Sequence, residues 1–438
     1  MSLPAEVYLK VLSNLRPLDL AVLSRCSRSQ KQIVLPILYK TLSLQLWGGD
    51  PDGSSTLLLR TLSANPQLRY YIREVEVVNA SSTLWTSGHS KLLGILLCSI
   101  LTHPDRITSF RWKAGLLQTH IFFPGLVALE CTQILNWTDV LWVRWHLLHC
   151  RSLKSLRLHL SKRISRHAGQ WFLSQLSLRH VKDLCLQGAD LSAMNIDVVD
   201  SLESLELKLC HGLDAFLARM ISHGVPQSLK VLRIAGNVTL KRLECFLSTV
   251  ASRVQLEELS LRIGGVAETA STRFIQAIAP KVSNLVLDFR RDLCDPRTSV
   301  KYSIKDFQDM VSSLPMLTSV GVALDLRNPK YIRRYQRTKL EKGGFMEKSN
   351  LKCIHLRGHC VPLKRCIGDA KHLADPFAEI SMCIGDAKHL ADAFAEISIL
   401  LDHGSRLRKY NFKQKSYELT GVSDEERSQL STDLYGIY

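Results

Sequence analysis

The nearest approach to a metal-ligand cluster in the sequence is Cys353, His355, His359, Cys360 and Cys366. Zinc sites pair their ligands at short, fixed spacings. These five residues lack that pairing, and none of the twelve cysteines stands in a Cys-x-x-Cys arrangement. Cys185 lies between Leu184 and Leu186, and Cys210 follows the next apolar run in a turn position. Both read as packing or surface residues rather than nucleophiles. There is no Gly-x-x-x-x-Gly-Lys loop, no Gly-x-Gly-x-x-Gly, no His-Glu-x-x-His and no Gly-x-Ser-x-Gly. The reading is therefore of a chain with no catalytic residues, no metal and no cofactor.

What the residue types do offer is charge. The 438 residues carry 57 Lys+Arg against 40 Asp+Glu, a net +17. Residues 327–365 hold twelve Lys/Arg against Glu341 and Glu347, a net +10. Tyr331 and Tyr335 beside Arg333, Arg334 and Arg337 are a mixture that nucleic-acid surfaces use, but no nucleic-acid-binding fold accompanies them. A solvated basic insertion, or a site for an acidic or phosphorylated protein, fits better. The longest apolar run, Leu92–Leu101, is about half of what a membrane helix needs, so no membrane is expected. Met1 runs into Leu3-Pro4-Ala5-Glu6 without a basic region and apolar core, which predicts a reducing compartment, cytoplasm and/or nucleus, with free thiols. The sequons at Asn79, Asn136 and Asn237 then have no glycosylation role.

A short repeat must position these side chains. It reads apolar, two residues, apolar, one residue, apolar: Leu153-x-x-Leu156-x-Leu158, Val181-x-x-Leu184-x-Leu186, Leu202-x-x-Leu205-x-Leu207, Leu229-x-x-Leu232-x-Ile234, Leu256-x-x-Leu259-x-Leu261 and Val282-x-x-Leu285-x-Leu287. Successive starts differ by 28, 21, 27, 27 and 26 residues, the period of leucine-rich repeats. Weaker copies start at Ile72, Ile107, Leu126, Leu317, Leu351 and Leu407. Each Leu-x-Leu is a strand with one buried face, and helices are predicted at Leu240–Ala251 and Phe274–Ala279. One repeat cannot bury its own apolar face, so neighbours must stack. The expected fold is α/β: residues 67–415 form a degenerate, curved solenoid with parallel strands inside and helices outside. The alternative is an ordinary α/β domain with evenly spaced strands. Residues 366–382 recur almost unchanged at 383–399, each copy with helical spacing. One copy is surplus, a neutral duplication or a gene-model artefact. Residues 46–66, centred on Gly48-Gly49-Asp50-Pro51, read as a linker loop, and 416–438 as a tail.

Residues 1–45 read as three short helices. Pro4 and Pro17 open the first two, and the third runs from about Ser29 to Tyr39. Val7, Val11 and Leu15 share a stripe flanked by Leu12, and Leu20 and Leu23 lie on the second helix. So small a helical piece buries too little to stand alone and calls for a partner surface. The residues Leu3-Pro4-x-Glu6-Val7, Val11-Leu12-x-x-Leu15, Pro17-x-Asp19-Leu20-x-x-Leu23-Ser24, Ser27-Arg28-Ser29 and Leu35-Pro36-x-Leu38-Tyr39 resemble an F-box of the form common in fungal proteins. Gln30 and Arg25 stand where members often carry an aromatic and an apolar residue.

That resemblance implies a non-catalytic substrate receptor of a Skp–cullin–F-box ubiquitin ligase. Leu3, Pro4, Val7, Val11, Leu12, Leu15, Pro17, Leu20 and Leu23 would bind the Skp-type adaptor, and through it a cullin–RING ligase. The repeats would hold a protein substrate. Alternatively, the helices only cap the solenoid, and the chain is a repeat scaffold without a ubiquitin role that gathers acidic partners. In each repeat the residue between the last two leucines points outward, as does the one two positions on. The expected substrate face therefore includes Arg157, Glu206, Lys208, Arg233, Arg262 and Arg357, with Val286 and Asp288 in the same columns. Its excess of cations favours an acidic or phosphorylated segment.

Overall fold

The computed structural model describes residues 4–46, 54–79, 97–113, 121–134, 137–161, 180–194, 201–295, 298–324, 353–357 and 379–383. The chain is α/β and divides into two compact units, Met1–Leu229 and Lys230–Tyr438.

The first unit opens with α1 (Ala5–Ser13), α2 (Pro17–Cys26) and α3 (Arg28–Leu38), followed by β1 (Thr41–Leu46). Pro4 sits at the N-cap of α1 and Pro17 at the first position of α2, where a missing N–H costs nothing. Ser27 caps α3 by accepting from the Gln30 N–H. Next come α4 (Ser54–Ala64), α5 (Pro66–Arg69), β2 (Glu74–Asn79), β3 (Ser109–Lys113), β4 (Ala128–Ile134), α6 (Trp137–His149), β5 (Ser155–Leu160), β6 (Asp183–Gln187), β7 (Ser204–Lys208) and α7 (Leu213–His223). Strands β1 to β7 pair in chain order, all parallel. Their register lines up Leu42, Val75, Phe110, Leu129, Leu156, Leu184 and Leu205 in one buried column. Two residues on, Leu44, Val77, Trp112, Cys131, Leu158, Leu186 and Leu207 form a second. A one-residue slip would turn both columns to the other face, so the apolar period alone holds the register.

Just ahead of each strand a further ladder runs through the backbone. The Lys40 carbonyl accepts from the N–H groups of Arg73 and Glu74, at 2.8 and 3.1 Å. The Arg73, Thr108, Val127, Lys154 and Lys182 carbonyls repeat this toward the next strand. The first rung starts two residues after α3 ends, so the helices lead straight into the strand ladder.

The second unit comprises β8 (Val231–Asn237), α8 (Leu240–Ala251), β9 (Glu258–Gly264), α9 (Thr272–Ile278), β10 (Asn284–Arg290), β11 (Ser299–Val300), α10 (Ile304–Ser313), β12 (Ser319–Val322), β13 (Cys353–Arg357) and β14 (Glu379–Cys383). Strands β8, β9, β10, β12 and β13 are parallel, while β11 and β14 run antiparallel to β10 and β13. The carbonyls of Lys230, Glu257 and Ser283 make the same kind of rung, each accepting from two N–H groups. Leu243, Phe246, Leu247 and Val250 bury one side of α8, as their three- and four-residue spacing requires.

Several expectations are corrected. Residues 54–64 of the expected loop form α4, because Leu58 and Leu62 recur at helical spacing and Leu62 is buried. Arg69 holds its end by donating to the Leu62, Ser63 and Ser99 carbonyls. The boundary at 45 cuts β1, which pairs with β2 along its whole length. Glu379–Cys383, expected as part of a helical copy, is a strand, since β13 offers unpaired backbone for it to extend. The remainder of 366–399, residues 327–350 of the basic insertion, the repeat at Leu407 and the 416–438 tail lie outside the described residues.

Candidate functional site

In the N-terminal helices the core is Leu12, Leu20 and Val34, one residue from each helix, with Tyr8, Leu15, Leu23, Ile37 and Leu38 packed around it. The Tyr8 hydroxyl donates to Gln30 Oε1, tying α1 to α3. That bond accounts for a polar residue at 30, and Arg25 is simply exposed. This corrects the expected adaptor-binding set. Leu12 and Leu20 face each other inside the motif and are no free docking surface, while Leu15 and Leu23 are half-buried against them. Pro4 and Pro17 are exposed helix openers, and Leu3 lies outside the described residues. Apolar side chains left in water include Leu9 on α1 and Ile33 on α3, 47% and 38% exposed, and two pairs: Val7 and Val11 on α1, 46% and 47% exposed, and Leu18 and Val22 on α2, 76% and 62% exposed. Each pair is four residues apart and so shares a helix face. Leu18 and Val22 had a detectable signal, the same four-residue spacing, two positions before Leu20 and one before Leu23.

In the first unit the outward strand row reads Glu76, Arg111, Glu130, Arg157, Cys185, Glu206 in register. Charge alternates along it. Arg111 lies 3.9 Å from Glu130, and Lys113 bridges Glu76 and Glu130 at 3.3 and 3.7 Å. Glu206 is buried beneath Arg157, at 3.5 Å, and Lys208, at 2.6 Å. Glu206 is therefore the internal counter-ion of two neighbours and is not open to a ligand. Each partly exposed pair contributes about 0–1 kcal/mol, and the three carboxylates offset all but one of the charges of Arg111, Lys113, Arg157 and Lys208, which weakens the field an acidic ligand would meet. The weaker repeats add Glu76 and Glu130 together with Arg111 and Lys113, so they leave the cation excess unchanged but pair these charges among themselves.

The second unit behaves similarly. Arg233 forks onto Glu258 at 2.6 and 2.9 Å. Arg262 is half-buried beside Asp288 in the strand register. Val286 and Asp288, expected to point into solvent, are buried. Asp288 accepts both bonds of the Arg290 fork, at 2.9 and 2.7 Å, and Arg290 also donates to the Leu293 carbonyl. The segment after β10 thus closes over this part of the face. Gly264 makes room for it: a Cβ there would meet Leu293 Cβ at 2.6 Å and Asn237 Oδ1 at 2.4 Å. Arg357 is on β13, and its side chain lies outside the described residues.

Burial makes four of the thiols poor nucleophiles. It pushes Cys150 and Cys185 up to about 11 and Cys210 up to about 12, and Cys131 further still. No group of His, Cys, Asp and Glu fit to hold a metal occurs among the described residues, and no helix among them is long and apolar enough to cross a membrane.

One buried histidine will show in solution. His146 on α6 accepts from the Phe123 N–H at Nε2, 3.1 Å, and its Nδ1 lies 3.0 Å from the Trp142 carbonyl. Donation from Nδ1 fixes the neutral tautomer, since a proton on Nε2 would meet another donor. Burial lowers its pKa from 6.5 to about 4. The unfolded chain then takes up the proton first, so stability present above pH 6.5 is lost as pH falls toward 4. About 2 kcal/mol should disappear between pH 7 and pH 5. Urea unfolding at the two pH values checks this: His146→Gln should remove that part of the pH dependence, and an unchanged difference would refute the assignment.

No family model matches the chain, and a search of curated proteins finds no match to its sequence.

Proposed function

We propose that the chain is a non-catalytic substrate receptor of a Skp–cullin–F-box ubiquitin ligase, with α1–α3 as an F-box on the Skp-type adaptor and a curved leucine-rich-repeat solenoid holding a protein substrate. The observation that carries this reading is the apolar surface of the helical motif. A three-residue core leaves Val7, Val11, Leu18 and Val22 in water on a piece too small to tolerate it without a partner. The motif spacing that resembles an F-box falls on these same helices. The parallel ladder that follows, with its buried columns and, on the strands before β10, an outward row, suits a receptor that displays one face to a ligand.

Because the outward charges are largely paired among themselves, substrate selectivity on this face rests on matching an alternating pattern rather than on attraction to acidic chains. Purification of the tagged full-length chain from cells is the test. Adaptor and cullin together in the eluate are the expected result. A chain recovered with neither would leave the scaffold alternative.

A further inference from the structure

Arg111, Arg157 and Arg233 on the strand faces have carboxylate partners, whereas Arg73 and Arg106, in the turns before β2 and β3, have none among the described residues. Tyr70, just after α5, is half exposed. Its backbone carbonyl accepts from Nη1 of Arg73 at 2.8 Å and from Nη1 of Arg106 at 3.0 Å. Two guanidinium groups therefore converge on one neutral oxygen. The Arg106 guanidinium also lies over the Tyr70 ring, 3.3 Å from its centroid, and donates from Nη2 to the Tyr70 hydroxyl. Arg73 lies 5.9 Å from the same centroid, and His103 closes the ring's side edge-on at 5.8 Å.

Nearby carboxylates do not neutralise this cluster. Glu74 is bound by Lys40 at 2.9 Å, and Asp105 forms no ion pair among the described residues. Arg69, although close in sequence, spends its donors on the Leu62, Ser63 and Ser99 carbonyls.

We propose that Arg73 and Arg106, anchored around Tyr70, form a binding site for one oxyanion, a phosphate or carboxylate group borne on a partner polypeptide. Arg73 has its Nη1 tied to the Tyr70 and Ile72 carbonyls, while its Nε and Nη2 donate to no described group. This free edge is the fork that takes two oxygens of a phosphate or carboxylate in parallel. Anchoring through Nη1 orients it before the ligand arrives, so little side-chain entropy is lost on binding. The Arg73 backbone is itself a rung of the ladder, donating to Lys40 and accepting from Thr108 and Ser109, which makes the support rigid. Arg106 adds a second fixed charge, and the exposed Tyr70 ring offers a flat surface to the chain that carries the anion. This site is separate from the helical motif and does not rest on the ubiquitin-ligase reading.

The test uses the full chain with three probes: a phosphoserine peptide with Gly/Ala flanks, its serine twin, and inorganic phosphate. Saturable binding of the phosphopeptide, at least about tenfold tighter than that of the twin, is expected. Arg73→Gln should weaken it by about tenfold or more with the thermal unfolding curve preserved, and Arg73→Lys should fall between, keeping the charge without the fork. Unaltered binding by Arg73→Gln overturns the site. So does loss of binding in Arg157→Gln with Lys208→Gln instead. Inorganic phosphate binding as tightly as the phosphopeptide would overturn the polypeptide source.

Discussion

A paired Leu18→Asp, Val22→Asp change is expected to abolish recovery of the Skp-type adaptor while leaving the helices folded. Both side chains are mostly in water, so aspartate there disturbs no internal packing. At an apolar interface each carboxylate would be buried without a partner, at a cost of several kcal/mol. Leu12→Ala or Leu20→Ala should fail differently. Each removes one of three core side chains, costs about 2–5 kcal/mol, and should open the motif to protease before docking is even at issue. Measuring adaptor recovery together with limited proteolysis of α1–α3 separates the two. Wild-type recovery with the Leu18/Val22 pair would place docking elsewhere. A truncation that tests the motif has to stop before β1, because residues 41–45 belong to the strand ladder.

The other large effect is expected at the buried Asp288–Arg290 pair, whose side chains are 0% and 1% exposed. Asp288→Leu should destabilise the second unit by about 3–5 kcal/mol, since it leaves a guanidinium buried without its counter-ion. Arg290→Met should also destabilise, freeing the Leu293 carbonyl as well. The double change Asp288→Leu, Arg290→Met should recover most of the loss, because an apolar pair of similar volume carries no desolvation penalty. Urea unfolding of the four proteins gives the coupling directly. Single changes costing under about 1 kcal/mol would mean that water reaches the pair.

How legible the fold was depends on which force held each element. The strands start two residues into each Leu-x-x-Leu-x-Leu run, at Ser155, Asp183, Ser204, Val231, Glu258 and Asn284, because alternation of apolar side chains specifies both the strand and its buried face. Helix α8 spans Leu240–Ala251, the bounds its spacing predicts. Strand β1 and helix α4 were not legible. The anchor ahead of Thr41–Leu46 at the repeat spacing is Tyr39, not the aliphatic residue of the other repeats, and the Gly-rich stretch beside α4 outweighed its leucines. The β14 strand depends on an edge supplied by β13, which no local pattern announces.

At the candidate sites the sequence by itself determined which residues line up. Arg157, Cys185 and Glu206 stand in one outward row, as the strand period dictates. Only the tertiary structure decided what each of them meets. It put Glu206 under Arg157 and Lys208, turned Asp288 and Arg290 into a buried pair, and placed Leu12 and Leu20 inside while Leu18 and Val22 stayed outside. It also drew Arg73 and Arg106, thirty-three residues apart in the chain, onto one carbonyl. Periodicity is a local property of the backbone and survives in a single segment. Burial and charge pairing depend on neighbours that come from other repeats, and those distances exist only once the chain has folded.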